Sequence, residues 1–91
     1  MKFYRRKEHG DPHYYESESD PTAGIAGFEI ETPRNGYGWQ VRVMRYEITP
    51  DDFARDNRLA GREFKTLREA KAACESHAVT DRVFAIRGGK A

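Results

Sequence analysis

Side chains that could bind a metal ion or act in catalysis occur at two places in the sequence. The first is His9-x-Asp11-x-His13, and the second is Cys74-x-x-His77, whose spacing puts both side chains on one side of a helix. A structural zinc site needs four ligands at established spacings, and neither place supplies them. The simpler interpretation is a turn with exposed histidines and a helix with a thiol that faces the core. We therefore predict no metal site and no cofactor.

Catalysis by Cys74 would need more than a neighbouring base. If His77 were that base, a third group would have to orient it, and a glycine-rich loop would have to bind the oxyanion; neither is evident. Gly36 and Gly38 precede a predicted strand and not a helix, so they do not form a phosphate-binding loop. We predict no catalytic residues and a protein that is not an enzyme.

Length and composition limit the remaining classes of function. The 91 residues suit a single domain, 1–91, and 16 Lys and Arg nearly balance 15 Asp and Glu. Such a balance gives no general attraction to nucleic acid or to anionic lipid. No apolar stretch approaches the ~20 residues that span a membrane, and a single cysteine favours a reducing compartment. We predict a cytoplasmic protein that does not bind membranes.

The clearest local signal is Asn35-Gly36, which suits the tight turn of a hairpin because both residues tolerate positive φ. The register that this turn sets pairs Phe28 with Val43 and Ile30 with Val41, so the large apolar side chains share one face. We predict that this hairpin is the centre of a small antiparallel sheet and that this face is the core.

The opposite face of the hairpin is polar near the turn and apolar further away. It places Glu31 beside Gln40 and Glu29 beside Arg42, and the longer strand continues to Met44 and Tyr46. Arg, Met and Tyr are enriched in protein interfaces. We predict a binding row formed by Tyr37, Gln40, Arg42, Met44 and Tyr46 with the N-terminal Tyr14 and Tyr15. The alternative is that the N-terminal segment folds over this face as a lid, and the sequence leaves both interpretations open.

Two helix starts follow the hairpin. Thr49 is a suitable N-cap before Pro50, which predicts a short helix over about 50–58, and Ile48 with Phe53 can form a hydrophobic staple. Thr66-Leu67-Arg68-Glu69 is a capping box, which predicts the main helix over about 66–78. The predicted fold is α+β, with the main helix packed on one face of the sheet.

The rest of the chain completes this prediction. Short strands are expected at 2–7, 13–16, 62–65 and 82–87, a flexible acidic loop at about 16–27 and a loose tail at 88–91. One core should contain Trp39, Val41, Phe64, Leu67 and Ala70.

Residues 36–78 carry a weak resemblance to a known family. The order Gly-Tyr-Gly-Trp-x-Val-x-Val, then Gly-Arg-Glu-Phe-Lys-Thr, then Leu-x-Glu-Ala-Lys resembles the arm-type DNA-binding domains at the amino terminus of phage integrases. The resemblance implies a three-stranded sheet with a helix behind it, and a sheet face on which Gln40 and Arg42 would meet the major groove. This chain departs from those domains in Glu29 and Glu31 on that face and in an aspartate-rich insertion after the hairpin.

Two functions follow as hypotheses. The first is a small accessory protein, similar in size and composition to those of phages of high-G+C bacteria, that engages and inhibits a host protein. The second is a nucleic-acid-binding domain whose contacts would be Arg5, Arg6, Arg34 and Arg42.

Overall fold

Four antiparallel strands in chain order form one sheet, and two helices follow them. The computed structural model describes residues 1–5, 14–32 and 38–88, with the side chains through residue 85. The strands are β1 (Phe3–Arg5), β2 (Tyr14–Ser17), β3 (Ile25–Glu31) and β4 (Gln40–Arg45), with a 3₁₀ helix at Pro21–Ala23. The helices are α1 (Pro50–Ala60) and α2 (Leu67–Gly88). The predicted α+β fold is confirmed.

The predicted register of the central hairpin is also confirmed. Phe28 pairs with Val43, and Ile30 pairs with Val41, while Glu29 lies opposite Arg42. Because directly opposite residues of an antiparallel pair point to the same side, the apolar pairs face the helices and the polar pair faces away from them. The Asn35-Gly36 turn itself lies outside the described residues.

The core lies between the sheet and α2. Ile25, Phe28 and Ile30 are fully buried, and they meet Cys74 and Ala70 from the helix. Small residues four apart along α2 let the helix lie close to the sheet. The predicted core group is confirmed, with Val41, Phe64 and Ala70 buried and with Trp39 and Leu67 packed against them. Burying each large side chain of this kind contributes about 1.5–3 kcal/mol.

Both predicted helix starts are present. The Thr49 hydroxyl accepts a hydrogen bond from the Asp52 N–H at 3.2 Å at the start of α1. At the start of α2 the Thr66 hydroxyl accepts from the Glu69 N–H at 3.1 Å, and the Glu69 carboxylate accepts from the Lys65 N–H at 3.2 Å. The reciprocal bond of the capping box therefore reaches one residue further back than the usual pattern.

The end of the chain differs from the prediction. The predicted strand at 82–87 is wrong, because α2 continues through those positions to Gly88. A short apolar run does not distinguish a strand from a helix, and no glycine or proline interrupts this helix after Ala78. The predicted strand at 62–65 reduces to one bridge, in which Phe64 and Trp39 exchange two backbone hydrogen bonds of 2.7 and 2.9 Å.

Regular structure also occupies much of the predicted loop at 16–27. The Asp20 carboxylate caps the 3₁₀ helix by accepting from the Ala23 N–H at 3.3 Å, and Gly24 ends it with a φ of 73°. The Ser17 hydroxyl accepts a hydrogen bond of 2.8 Å from the Phe28 N–H, which ties β2 to β3. Residues 89–91 of the predicted tail lie outside the described residues, and Gly88 is the last residue of α2.

Candidate functional site

The candidate binding surface is the outer face of the sheet, on the side away from the helices. Among the described residues, α1 and α2 both contact the inner side, and neither packs against the outer face. The residues on this face are Tyr4 from β1, Tyr14 and Glu16 from β2, Glu29 and Glu31 from β3, and Gln40, Arg42 and Met44 from β4. Tyr4, Glu31, Gln40 and Arg42 are exposed and the others are partly buried. We refer to this set as the outer sheet face.

The N-terminal strands do not form a lid. β2 pairs with β3 along the edge of the hairpin, and β1 pairs in turn with β2, so both strands extend the sheet sideways. The lid hypothesis is therefore wrong, and the outer sheet face is broader than the hairpin alone would make it.

A hydrogen bond organises the middle of the outer sheet face. Burial and the bond that the Tyr14 hydroxyl donates to the Glu29 carboxylate raise the pKa of Tyr14 above its ordinary range. Glu29 lies between Glu16 on β2 and Arg42 on β4. The described part of this face therefore carries three carboxylates, those of Glu16, Glu29 and Glu31, and one guanidinium, which makes it acidic.

Met44 provides an aliphatic part of the outer sheet face. Its terminal methyl group lies over Gly27, so close that a Cβ atom on that glycine would be 3.1 Å from the methyl carbon. The glycine therefore makes room for the methionine side chain. Met44 remains partly accessible beside the exposed Arg42.

Two other residues of the predicted row lie elsewhere. Tyr15 pairs with Ile30 on the inner side, where its ring centroid is 6.0 Å from that of Trp39. Tyr46 follows the end of β4 and lines a groove near the end of α2, so it does not continue the row beyond Met44. Tyr37 lies outside the described residues.

The predicted nucleic-acid contacts are not brought together among the described residues. Arg5 is exposed on β1, opposite Tyr15, and therefore points to the inner side of the sheet. Arg42 is on the outer side, whereas Arg6 and Arg34 are not among the described residues.

The sequence prediction missed a buried charge network at the inner end of β4. Arg45 donates to the two carboxylate oxygens of Asp56 at 2.7 and 2.8 Å, to Asp81 at 2.5 Å and to the Ala23 carbonyl at 3.1 Å. The side chains of Arg45 and Asp81 are each only 2% exposed. Arg45 therefore joins the sheet to both helices.

Arg55 and His77 complete the charge network. Arg55 donates to Asp81 at 3.1 and 3.2 Å and to Asp52 at 2.5 Å, and His77 Nε2 is 2.8 Å from Asp56 Oδ1. Burial acts to raise the pKa of Asp56, but the hydrogen bonds from Arg45 and His77 outweigh it and hold the pKa below its ordinary value. The bond to Asp56 also raises the pKa of Arg45.

The charge network resembles a metal site in composition but not in its bonding. Ligand atoms of Asp56, His77 and Asp81 lie within 4.8 Å of one another. Their carboxylate oxygens, however, already accept hydrogen bonds from Arg45 and Arg55, so the two guanidinium groups supply the positive charge that a metal ion would bring. The role that this geometry supports is to fix the positions of β4, α1 and α2.

Cys74 is placed where it cannot act as an exposed nucleophile. It is fully buried, and burial together with the charge of Glu75 raises its pKa to about 12. At neutral pH the side chain is therefore a protonated thiol, whereas the thiolate is the nucleophilic form. His77 is hydrogen bonded to Asp56.

Comparison with protein-family models, with curated proteins and with solved structures finds no match to this chain. Within the described residues, no helix has the length and apolar character needed to cross a membrane. What the structure defines is an α+β domain with a helix-covered inner sheet face and an outer face on which neither helix packs.

Proposed function

We propose that this chain is a non-enzymatic module that binds another protein through the outer sheet face. The observation that carries the proposal is the composition of that face, on which Tyr14, Arg42 and Met44 are grouped with neither α1 nor α2 over them. A solvated sheet face normally carries polar residues alone. Arg and Tyr are the side chains that most often dominate binding energy in interfaces, and Met adapts to irregular partner surfaces.

The charges of the outer sheet face favour a partner with a basic surface. Glu16, Glu29 and Glu31 outnumber Arg42 among the described residues of this face. Complementary charge raises the association rate and excludes partners of the same sign. Glu29 is also held in place by Tyr14, so part of this acidic surface is ordered before binding.

The same carboxylates weigh against the nucleic-acid hypothesis for this face. Glu29 lies opposite Arg42 and Glu31 lies opposite Gln40, so both carboxylates would approach phosphate oxygens of the same charge. Phosphate contacts release counterions, so DNA binding would fall steeply with salt. We expect a fluorescent DNA duplex to show no increase in anisotropy with this protein even at low salt, and tight, salt-sensitive binding would replace the proposal with the nucleic-acid function.

The setting that we propose is that of a phage accessory protein that engages, and thereby inhibits, a protein of its bacterial host. Its support is the small size, the arginine-rich composition and the weak resemblance of residues 36–78 to a phage integrase domain. A gene neighbourhood of metabolic genes would count against this setting without affecting the proposed binding face.

The test compares a variant of the outer sheet face with a matched variant of α2. The first combines Glu31→Lys with Met44→Ser, and the second combines Glu75→Lys with Val79→Ser on exposed positions of the helix. Each pair removes one apolar side chain and reverses one carboxylate. Both proteins should keep the circular dichroism spectrum of the wild type.

Tagged proteins are then used to capture partners from a lysate of the cells in which the chain is made, and the captured proteins are quantified by mass spectrometry. We expect a protein with a basic surface that the wild type and the helix variant retain equally. The face variant should retain at least about tenfold less of it, since loss of a central interface contact costs about 2 kcal/mol or more and about 1.4 kcal/mol already corresponds to tenfold. Equal capture by all three proteins would refute the outer sheet face as the binding site.

A further inference from the structure

A groove at the end of the domain forms a second exposed surface, separate from the outer sheet face. It lies between the 3₁₀ helix, the connection from β4 to α1 and the last turns of α2, and it encloses a space of about 840 Å³. Its lining includes Pro21, Thr22, Tyr46, Thr49, Asp51 and Phe84. We refer to it as the end groove.

The end groove exists because the inner side of α2 continues beyond the sheet. Ala78 and Asp81 are buried, but Phe84 and Ala85, which follow on the same side three and four residues after Asp81, are exposed. The last pair of β3 and β4 is Ile25 with Arg45, so the sheet ends before it reaches Phe84. Phe84 is 51% exposed, and Tyr46 in the same groove is 60% exposed.

The Phe84 ring, which forms one wall of the end groove, packs on the Arg55 guanidinium. The Arg55 guanidinium carbon lies 4.7 Å from the centre of the Phe84 ring. Arg55 is itself held by hydrogen bonds to Asp81 and Asp52, so the surface that supports the ring is fixed by the buried charge network. A preordered wall reduces the entropy that a ligand would otherwise have to offset.

The free charges at the rim of the end groove are negative. Glu47 and Asp51 are exposed and form no ion pair with other described residues, whereas Arg55 is already bonded to two carboxylates. An apolar centre with an acidic rim complements an apolar side chain that has basic neighbours. We infer that the end groove binds a short basic segment of a partner protein, with one aromatic side chain between Tyr46 and Phe84 and with lysine or arginine beside Glu47 and Asp51.

The inference is tested with three synthetic tripeptides and amide NMR spectra of the whole chain. The probe is acetyl-Arg-Trp-Arg-amide, and the controls are acetyl-Arg-Ala-Arg-amide and acetyl-Glu-Trp-Glu-amide. We expect saturable shifts for the amides of Thr22, Tyr46 and Phe84 with the probe. Each control should bind at least about tenfold more weakly, because one lacks the aromatic anchor and the other has the wrong charge.

Variants locate the binding. Tyr46→Ser and Phe84→Ser should each weaken the probe at least about tenfold, since both rings are exposed and their loss removes contact area without opening the core. Val79→Ser, at an exposed position of α2 that does not line the groove, should leave the affinity unchanged.

Three results would overturn the inference. The first is that the probe causes no saturable shifts, or binds no better than the acidic peptide. The second is that the shifts fall on Gln40 and Arg42, which would place this peptide on the outer sheet face. The third is that the groove amides shift on dilution without peptide, which would make a second copy of the chain the occupant. Because the end groove and the outer sheet face are mutated separately, failure here leaves the capture experiment unaffected.

Discussion

Replacing Arg45 with methionine tests how much of the fold depends on the buried charge network. Methionine keeps an apolar stem of similar length but removes the guanidinium, and with it the bonds to Asp56, to Asp81 and to the Ala23 carbonyl. Removing one partner of a buried ion pair costs about 3–5 kcal/mol, because the other charge stays buried. Asp81 keeps its bond to Arg55, and Asp56 keeps its bond to His77, so the expected cost is about 3 kcal/mol, at the lower end of this range.

This cost is large relative to the stability of a small domain. At roughly 0.05–0.15 kcal/mol per residue, a chain of this length has a free energy of unfolding of about 5–14 kcal/mol. Urea unfolding followed by circular dichroism measures the change. With a urea dependence of about 1–3 kcal/mol per molar for small proteins, the unfolding midpoint of Arg45→Met should fall by about 1–3 M.

The control is Arg42→Met, a change of the same chemistry three residues earlier on the same strand but on its exposed side. Its free energy of unfolding should stay within about 0.5 kcal/mol of the wild type. A further test combines Asp81→Asn with Arg45→Met. The double variant should lose less unfolding free energy than the sum of the losses of the two single variants, because both changes remove one shared interaction. A cost of no more than about 1 kcal/mol for Arg45→Met, or equal costs for the two arginines, would refute the reasoning.

Other parts of the structure make predictions of the same kind. The folded state lowers the pKa of Asp56, so in acid the unfolded chain binds more protons than the folded chain. The stability that this group contributes is therefore complete above its ordinary pKa of about 3.9 and is lost as the pH falls through the pKa of the folded state. Asp56→Asn should therefore flatten the acid decline of the urea midpoint, and an unchanged slope would contradict this. Gly38→Ala should lower the free energy of unfolding by about 1–2 kcal/mol, because Gly38 has a φ of 75° and a Cβ there would meet the Glu63 side chain. The control is Gly61→Ala, which has right-handed backbone geometry and should cost far less in the same urea assay. Iodoacetamide should label Cys74 only under unfolding conditions, as detected by mass spectrometry. Rapid labelling of the folded protein would contradict the burial of this thiol.

The elements that the sequence predicted correctly are those set by neighbouring residues. The Asn35-Gly36 sequence predicts the register of the central hairpin, and Phe28, Ile30, Val41 and Val43 pair as expected. The two helix starts depend on threonine caps within three residues of the N–H groups that they satisfy. Such signals do not require knowledge of the rest of the fold.

The end of α2 was not predictable in the same way. A short apolar run such as Val83 to Ile86 fits a buried strand as well as a helix, and no stop signal lies between Ala78 and Gly88. In the structure those turns extend beyond the sheet. The contact of Phe84 with Arg55 depends on α1, which is distant in sequence.

The sequence contains a local signal that Arg45 is buried, but it does not identify the partners of this arginine. The alternation that points Val43 inward also points Arg45 inward, so a buried arginine at the end of β4 could have been expected. Its partners come from two helices, and Asp81 is 36 positions further along the chain. Only the packing of both helices on the sheet identifies them. The aspartate-rich insertion after the hairpin is a departure from the arm-type DNA-binding domains. One of its residues, Asp56, neutralises Arg45.

The two sides of β4 therefore make different demands on the sequence. The inward side chains of Val41 and Arg45 are fixed by the core and by the charge network, whereas Met44 on the outer side lies over Gly27. Met44 is partly exposed, and a polar residue there would keep the outer face better hydrated, so partner binding gives a reason for its presence. If that reason is correct, Met44→Ser should change partner capture while moving the unfolding free energy by less than about 1 kcal/mol. A larger loss of stability would mean that Met44 serves the fold by covering Gly27, and the outer sheet face would then lose its main apolar argument for binding.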